Sequence, residues 1–307
     1  MRAAVLHDYG VPVCDDFAEP PSGGAVVEVL AAGMNPVDVA ISSGRFYAGK
    51  PPLPSVAGRE GVGMLDGRRV YFDSPQSPYG SMAQRALVDP ASTCELPDGV
   101  SDGVAVALGI SGLAAWLALT WRARMQAGEH VLVLGASGLV GQIAVQSARV
   151  LGAGRIVAAA RSAEGLELAL GQGADAAVAL GEEDLPAALR DAAEGRIDVV
   201  VDPLYGRPFE AAVQAASFGA RIVQLGASAG TEATISSPDI RGKLLEILGH
   251  TNFAAPAQTK RDAYLALADA AASGQIDLAV TEVPLEQVQR AWELLQAGSR
   301  AKIVIVP

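Results

Sequence analysis

Apolar positions along the 307-residue chain change rhythm near residue 111. Before it, short apolar runs at 25–31, 61–65, 69–72 and 82–88 are separated by Gly- and Pro-rich stretches at 20–24, 50–54 and 74–80. That is the pattern of strands joined by turns. After it, β-branched runs at 131–134, 156–160, 176–180, 199–202, 222–225 and 244–248 alternate with helical stretches such as 139–151 and 208–216. Six strands with helical crossovers predict a doubly wound parallel sheet. An Ala-rich helix over 257–273, a strand over 280–283, a helix over 285–297 and a strand over 302–306 close the chain. This β-rich ending is expected to return to the first domain. The class is α/β with two domains, a discontinuous β-rich one (1–107 and 273–307) and a doubly wound one (108–272). Residues 103–121 carry no charge and are as long as a bilayer span of about 18 residues. Gly109, Ser111 and Gly112 interrupt them, so they read as a buried pair of helices between domains.

The stretch from Val131 to Ser162 carries the clearest chemistry. Its first strand runs into Gly135, Ala136, Ser137, Gly138, Leu139, Val140 and Gly141, then a helix and a second strand. Glycines at 135, 138 and 141 in a strand–turn–helix–strand context match a dinucleotide fingerprint. The first permits the tight turn, the second a close approach of backbone to pyrophosphate, the third close helix–strand packing. Ordinary packing glycines in a βα turn are the plainer reading. An NAD site usually places Asp or Glu at the end of the second strand. Here that place holds Ala159, Ala160, Arg161 and Ser162. A guanidinium fork with a hydroxyl beside it suits a 2′-phosphate, so the expected cofactor is NADPH. A solvated strand end would equally account for Arg161.

Composition narrows the partners. A net charge of -11 and a pI near 4.8 argue against nucleic acid and anionic membranes. Cys14 and Cys94 form no CxxC pair, and His7, His130 and His250 stand apart from one another, so no metal-ligand spacing exists. The N-terminal MRAAVLHDYG lacks the apolar core of a signal peptide. A cytoplasmic location is expected.

An ordered set of motifs resembles the medium-chain dehydrogenase/reductase superfamily, in its zinc-free quinone oxidoreductase (zeta-crystallin-like) branch. The set comprises Ala31-Ala32-Gly33-Met34-Asn35-Pro36-Val37-Asp38, Ser43-Gly44-Arg45-Phe46-Tyr47, Ala57-Gly58-Arg59-Glu60-Gly61-Val62-Gly63, Gly80-Ser81-Met82-Ala83, and Leu96-Pro97-Asp98-Gly99. The glycine loop, Asp198-Val199-Val200-Val201-Asp202-Pro203 and Ala301-Lys302-Ile303-Val304 complete it. The resemblance implies a GroES-like catalytic domain joined to a Rossmann domain. Zinc-dependent relatives carry a Cys at Met34-Asn35 and a His at Arg59, so no tetrahedral zinc site is expected. Leu139 stands where the branch has a second loop glycine.

The resemblance also implies roles. Asn35, Asp38 and Tyr47 fall near the cleft. Asn35 is a candidate donor to a carbonyl or ribose, and Tyr47 an anchor or proton donor, with solvent as the alternative proton source. Asp38 is read as an organiser of its loop. Asp202, Gly226, Ala227 and Lys302 are implied cofactor contacts, although a last-strand Lys is as often an exposed edge residue. His250 and Asn252 are expected to line the substrate entrance or to cap a strand end. A hydride donor without a metal reduces quinones and α,β-unsaturated carbonyls, which makes the expected substrate a small quinone or enone. The sixth strand, around 244–248, is expected to pair two copies into a homodimer. An enoyl reductase of a biosynthetic pathway and an NADPH-binding sensor or structural protein are the alternatives.

Overall fold

The computed structural model describes all residues from Met1 to Pro307. In chain order the first elements are β1 (Arg2–Leu6), β2 (Val13–Asp16), β3 (Ala25–Gly33), α1 (Pro36–Ser42) and β4 (Ser55–Val56). β5 (Glu60–Leu65), β6 (Arg68–Asp73), β7 (Arg85–Val88), β8 (Thr93–Glu95), α2 (Asp102–Ala107) and α3 (Leu113–Leu117) follow. Next come β9 (His130–Leu134), α4 (Leu139–Val150), β10 (Arg155–Ala160), α5 (Ala163–Gly171), β11 (Ala176–Ala179) and α6 (Leu185–Ala192). β12 (Val199–Asp202), α7 (Gly206–Ala215), β13 (Arg221–Gln224), α8 (Ser237–Lys243) and β14 (Glu246–Gly249) continue the alternation. The chain ends with α9 (Ala257–Ala272), β15 (Val280–Pro284), α10 (Val288–Gln296) and β16 (Lys302–Val306).

Two compact units result: Met1–Ile110 with Tyr264–Pro307, and Ser111–Ala263. In the first, one sheet has the order β15-β16-β3-β5-β6-β8, with β7 also on β3, and a small sheet has the order β2-β1-β4. β16 pairs with β3, Val304 opposite Gly33, so the C-terminal strand fills the sheet that the first hundred residues begin. Phe72, Met82, Trp292, Ile303 and Ile305 pack in one buried cluster beneath it. Two strands of this unit carry no sequence signal. β2 is polar and exposed, and β4 has two residues; neither shows a period, and both exist because β1 offers partners on each side.

The second unit is a six-stranded sheet, β11-β10-β9-β12-β13-β14, parallel throughout. Alternation of apolar strands with helices dictates this, because a parallel strand needs a crossover and both sheet faces must be covered. Four of five residues of β9 and all four of β12 are buried. The sixth strand starts at Glu246, not at 244 as the apolar run predicts. Leu244 instead ends α8 in a left-handed conformation (φ 50°) and is 60% exposed. The uncharged stretch forms α2 and α3, parted by a break in helical backbone at Gly109 (φ -65°, ψ -115°). Most of residues 102–122 is buried inside the protein, as in a core helix.

Candidate functional site

Strand order in the second unit reverses between β9 and β12, the point where doubly wound sheets open a ligand crevice at their C-terminal strand ends. The glycine loop follows β9 there. Gly135 adopts φ +64°. A Cβ on Gly141 would sit 2.3 Å from the Gly135 carbonyl oxygen and 2.6 Å from Ala136 Cα, so α4 can approach the strand only through a residue without a side chain. Gly138, exposed, is the N-cap of α4 and provides no capping side chain. Unpaired N–H groups of a first helical turn are an anion-binding arrangement. Gln142 Nε2 donates to the Ser137 carbonyl at 3.0 Å and so steadies the loop.

The residues expected beside the loop are brought to it. A Cβ on Gly135 would touch Leu204 at 2.8 Å, and one on Gly226 would lie 2.6 Å from the Pro203 oxygen. Asp202 shapes this turn: its Oδ1 accepts the backbone N–H groups of Leu204 and Tyr205, both at 2.9 Å. Burial raises its pKa to about 6, against the lowering effect of those two bonds. Asp202 therefore spends one oxygen on the backbone rather than on a ligand. Ala227 follows Gly226 on the exposed rim. At the end of β10, Ser162 caps α5, its Oγ accepting from Gly165 N at 3.2 Å. A Cβ on Gly165 would lie 2.6 Å from Ser137 Cβ, so the loop and the end of β10 are neighbours. Arg161 is exposed and forms none of the ion pairs of this unit.

His250 and Asn252 meet after β14, His250 Nε2 lying 2.9 Å from Asn252 Oδ1. The ring stands edge-on to Trp121 at 5.9 Å between centroids. Burial lowers the His250 pKa, the Asn252 bond opposes this, and the charge of Arg122 adds to the lowering. The imidazole is thus neutral at pH 7, and its Nδ1 is buried with no hydrogen-bond partner.

The first unit holds a buried polar cluster that the sequence only half suggests. α1 starts after Asn35, whose N–H donates to Asp38 Oδ2 at 2.8 Å, the loop-organising role expected of Asp38. Asn35 Nδ2 donates to Glu60 Oε1 at 2.8 Å. Lys302 Nζ donates to Asn35 Oδ1 and to Glu60 Oε1, each at 2.7 Å. Tyr71 OH donates to Glu60 Oε2 at 3.1 Å, and the Ile110 N–H donates to the same oxygen. The Lys302 and Glu60 side chains are 0% exposed, which corrects the reading of Lys302 as an exposed edge residue. Asn35, 2% exposed, turns its amide to this cluster. Sequence reasoning misses Glu60 as a member; an acid inside the apolar, Gly-rich run of β5 is its one visible signal. Tyr47 is 78% exposed, its ring tilted by 47° against that of Phe46 at 4.5 Å between centroids, and shares no hydrogen bond with Asn35. At the two positions where zinc-dependent relatives carry ligands, Asn35 is bonded as described and Arg59 Nη2 donates to Ser74 Oγ at 2.9 Å. No three His, Cys, Asp or Glu side chains lie close enough to share a metal ion.

Comparison with known proteins gives these arrangements a lineage. A family model described as zinc-binding dehydrogenase matches residues 140–269. A quinone oxidoreductase of Pongo abelii is 30% identical over 320 residues, covering 98% of this chain and 95% of the relative. The chain belongs to the quinone oxidoreductase branch of the medium-chain dehydrogenase/reductase superfamily. The solved quinone oxidoreductase of Thermus thermophilus, described with its NADPH complex, superposes at TM-score 0.83 with 31% identity, each chain covered completely. An NAD-dependent alcohol dehydrogenase matches as completely at TM-score 0.90 and 26% identity. The fold is thus shared across chemistries, and the side chains must decide among them.

Proposed function

We propose that this chain is an NADPH-dependent, zinc-independent reductase of quinones or similarly activated α,β-unsaturated carbonyls, acting in the cytoplasm. The carrying observation is Arg161: an exposed guanidinium without an ion-pair partner, followed by Ser162, which caps the helix whose Gly165 packs against Ser137 of the glycine loop. The residues present fit a phosphorylated dinucleotide. The loop from Gly135 to Gly141 would hold the pyrophosphate by backbone N–H groups, Arg161 and Ser162 the 2′-phosphate, and Gly226 and Ala227 the nicotinamide ribose. Bound NADPH supplies a hydride. The chain's part is to bind it, to hold an acceptor and to exclude water. The final proton comes from Tyr47 or from solvent. Asn35 and Lys302, engaged with Glu60, would act on the cofactor side by fixing α1 and β16 rather than as free donors.

The test is NADPH oxidation against 1,4-naphthoquinone, a simple enone, an alcohol–aldehyde pair and an enoyl thioester, with NADH in parallel. The expected result is turnover of the quinone, undiminished by a chelator, with NADPH bound at least tenfold more tightly than NADH. Arg161→Ala should erase that preference, since a charge-assisted bond is worth about 1.5–3 kcal/mol. Equal affinity for both cofactors in the wild type would overturn the assignment of Arg161. Thioester turnover without quinone turnover would favour the enoyl reductase, and tight NADPH binding without turnover a sensor.

The same reading includes a homodimer. β14 is an edge strand, paired only with β13, and it leaves Ile247 37% exposed. An open edge of this kind is completed by a symmetry mate. Light scattering should give a dimer mass at micromolar concentration, and Ile247→Pro should reduce it to a monomer. A monomeric wild type rejects the pairing.

A further inference from the structure

Helix α4 buries an amide where an apolar side chain would pack as well. Gln142 is 2% exposed, and the residues after it, Ile143 to Val145, are buried and apolar. Its side chain is bonded at both ends. Nε2 donates to the carbonyl of Ser137 in the glycine loop at 3.0 Å, in the N-terminal direction in which helical side chains lean. Oε1 accepts from Gln172 Nε2 at 3.1 Å. Gln172 is the C-cap of α5, and its own Oε1 is buried with no hydrogen-bond partner. Burial on such terms adds little stability, because two apolar groups of the same shape would do nearly as well or better. The pair is better explained by what it holds in place.

What it holds is α5. This helix begins at its N-cap Ser162, directly after Arg161. Its Gly165 packs against Ser137, where a Cβ would come within 2.6 Å of the serine Cβ. The glycine loop therefore meets α5 twice, by contact in the first turn and through Gln142 at the C-cap. Gly165 and Gln172 are about 10 Å apart along the helix axis, at 1.5 Å per residue. A helix held at one point can pivot; held at two, it cannot. We propose that Gln142 and Gln172 are positioning residues for cofactor selection. Their amide bridge sets Arg161 and Ser162 in register with the glycine loop, so that one dinucleotide engages both, through its 2′-phosphate and its pyrophosphate. The proposal rests on the NADPH reading above and adds the device that makes its second anchor count. Two anchors on one ligand reinforce each other only when their spacing matches the ligand's.

Fluorescence titration of the full-length protein with NADPH and NADH, and competition by 2′-AMP, test this in wild type, Gln172→Met and Gln142→Met, each with and without Arg161→Ala. NADH lacks the 2′-phosphate and 2′-AMP lacks the pyrophosphate, so each probes one anchor alone. Gln172→Met should bind both within about twofold of wild type, yet cut the preference for NADPH over NADH by about three- to tenfold. Arg161→Ala should then cost less NADPH affinity in Gln172→Met than in wild type, the non-additivity of coupled sites. Gln142→Met, which also releases the Ser137 carbonyl, should weaken NADH as well. A pair that only supports the fold would lower the denaturation midpoint and weaken both dinucleotides in proportion; an unchanged preference of that kind overturns the proposal, as does strict additivity with Arg161→Ala. A wild type without NADPH preference overturns the reading of Arg161 and the bridge together. A wild type that prefers NADPH, beside a Gln172→Met that prefers it equally, overturns the bridge alone.

Discussion

The two units build their polar sites in opposite ways. In the second unit the dinucleotide loop is made of backbone, within seven consecutive residues from Gly135 to Gly141, and its determinants are places where a side chain is absent. In the first unit the cluster around Glu60 is made of side chains, and Lys302 reaches Asn35 across 267 positions. A backbone site is robust to everything except added atoms. A side-chain cluster in a dry interior is vulnerable to the loss of any member, because the rest keep their charge and lose their partner. The difference also governs what can be read from sequence, since the first kind is local and the second is not.

The largest effect that would break this comparison is expected from Lys302→Met. It preserves length and apolar volume but leaves Glu60 buried without its counter-charge. Chemical denaturation should show a loss of about 3–5 kcal/mol. A loss below ~1 kcal/mol would mean that Tyr71, Asn35 and Ile110 suffice to hold Glu60.

A smaller effect should follow pH. Burial holds the folded pKa of Asp38 above its ordinary carboxylate value of 3.8, at about 7. The protonated form is thus favoured by folding. Its stabilisation is complete below pH 4, is lost as pH rises towards 7 and is absent above. The rise corresponds to roughly 4.4 kcal/mol at most. Asp38→Asn cannot titrate, so the wild-type stability measured relative to this variant should fall between pH 4 and pH 7. A difference that stays constant across that window would show Asp38 to be ionised throughout.

The smallest effect on stability, and the sharpest on binding, is expected from Gly141→Ala. The added Cβ meets backbone of Gly135 and Ala136, which cannot rotate away. The expected cost is about 1–3 kcal/mol, with NADPH affinity, read by fluorescence titration, reduced at least tenfold as the loop shifts. The variant binding NADPH like wild type would show that loop and helix relax together, and that the backbone site is less exacting than its packing implies.

By itself the sequence determined the six strands of the second unit and its helices α4 and α7 to within two residues, the parallel sheet they form, and the glycine loop after β9. Each depends on local periodicity or on glycines a few residues apart, and apolar strands buried on both faces have few alternatives. The end of β10 was equally legible, because the residue after a buried strand must emerge, and here it is Arg161. Tertiary structure alone decided the rest. Leu244 has the apolarity of a strand residue, but the end of α8 claims it. Lys302 has the charge of an edge residue, but β16 lies between β15 and β3, and Glu60 opposite makes its burial tolerable. A cavity beside Asp38 draws on β1, α1, β4 and the turn before β7. No period or spacing encodes such a meeting, because it depends on which surfaces remain once the sheets have closed.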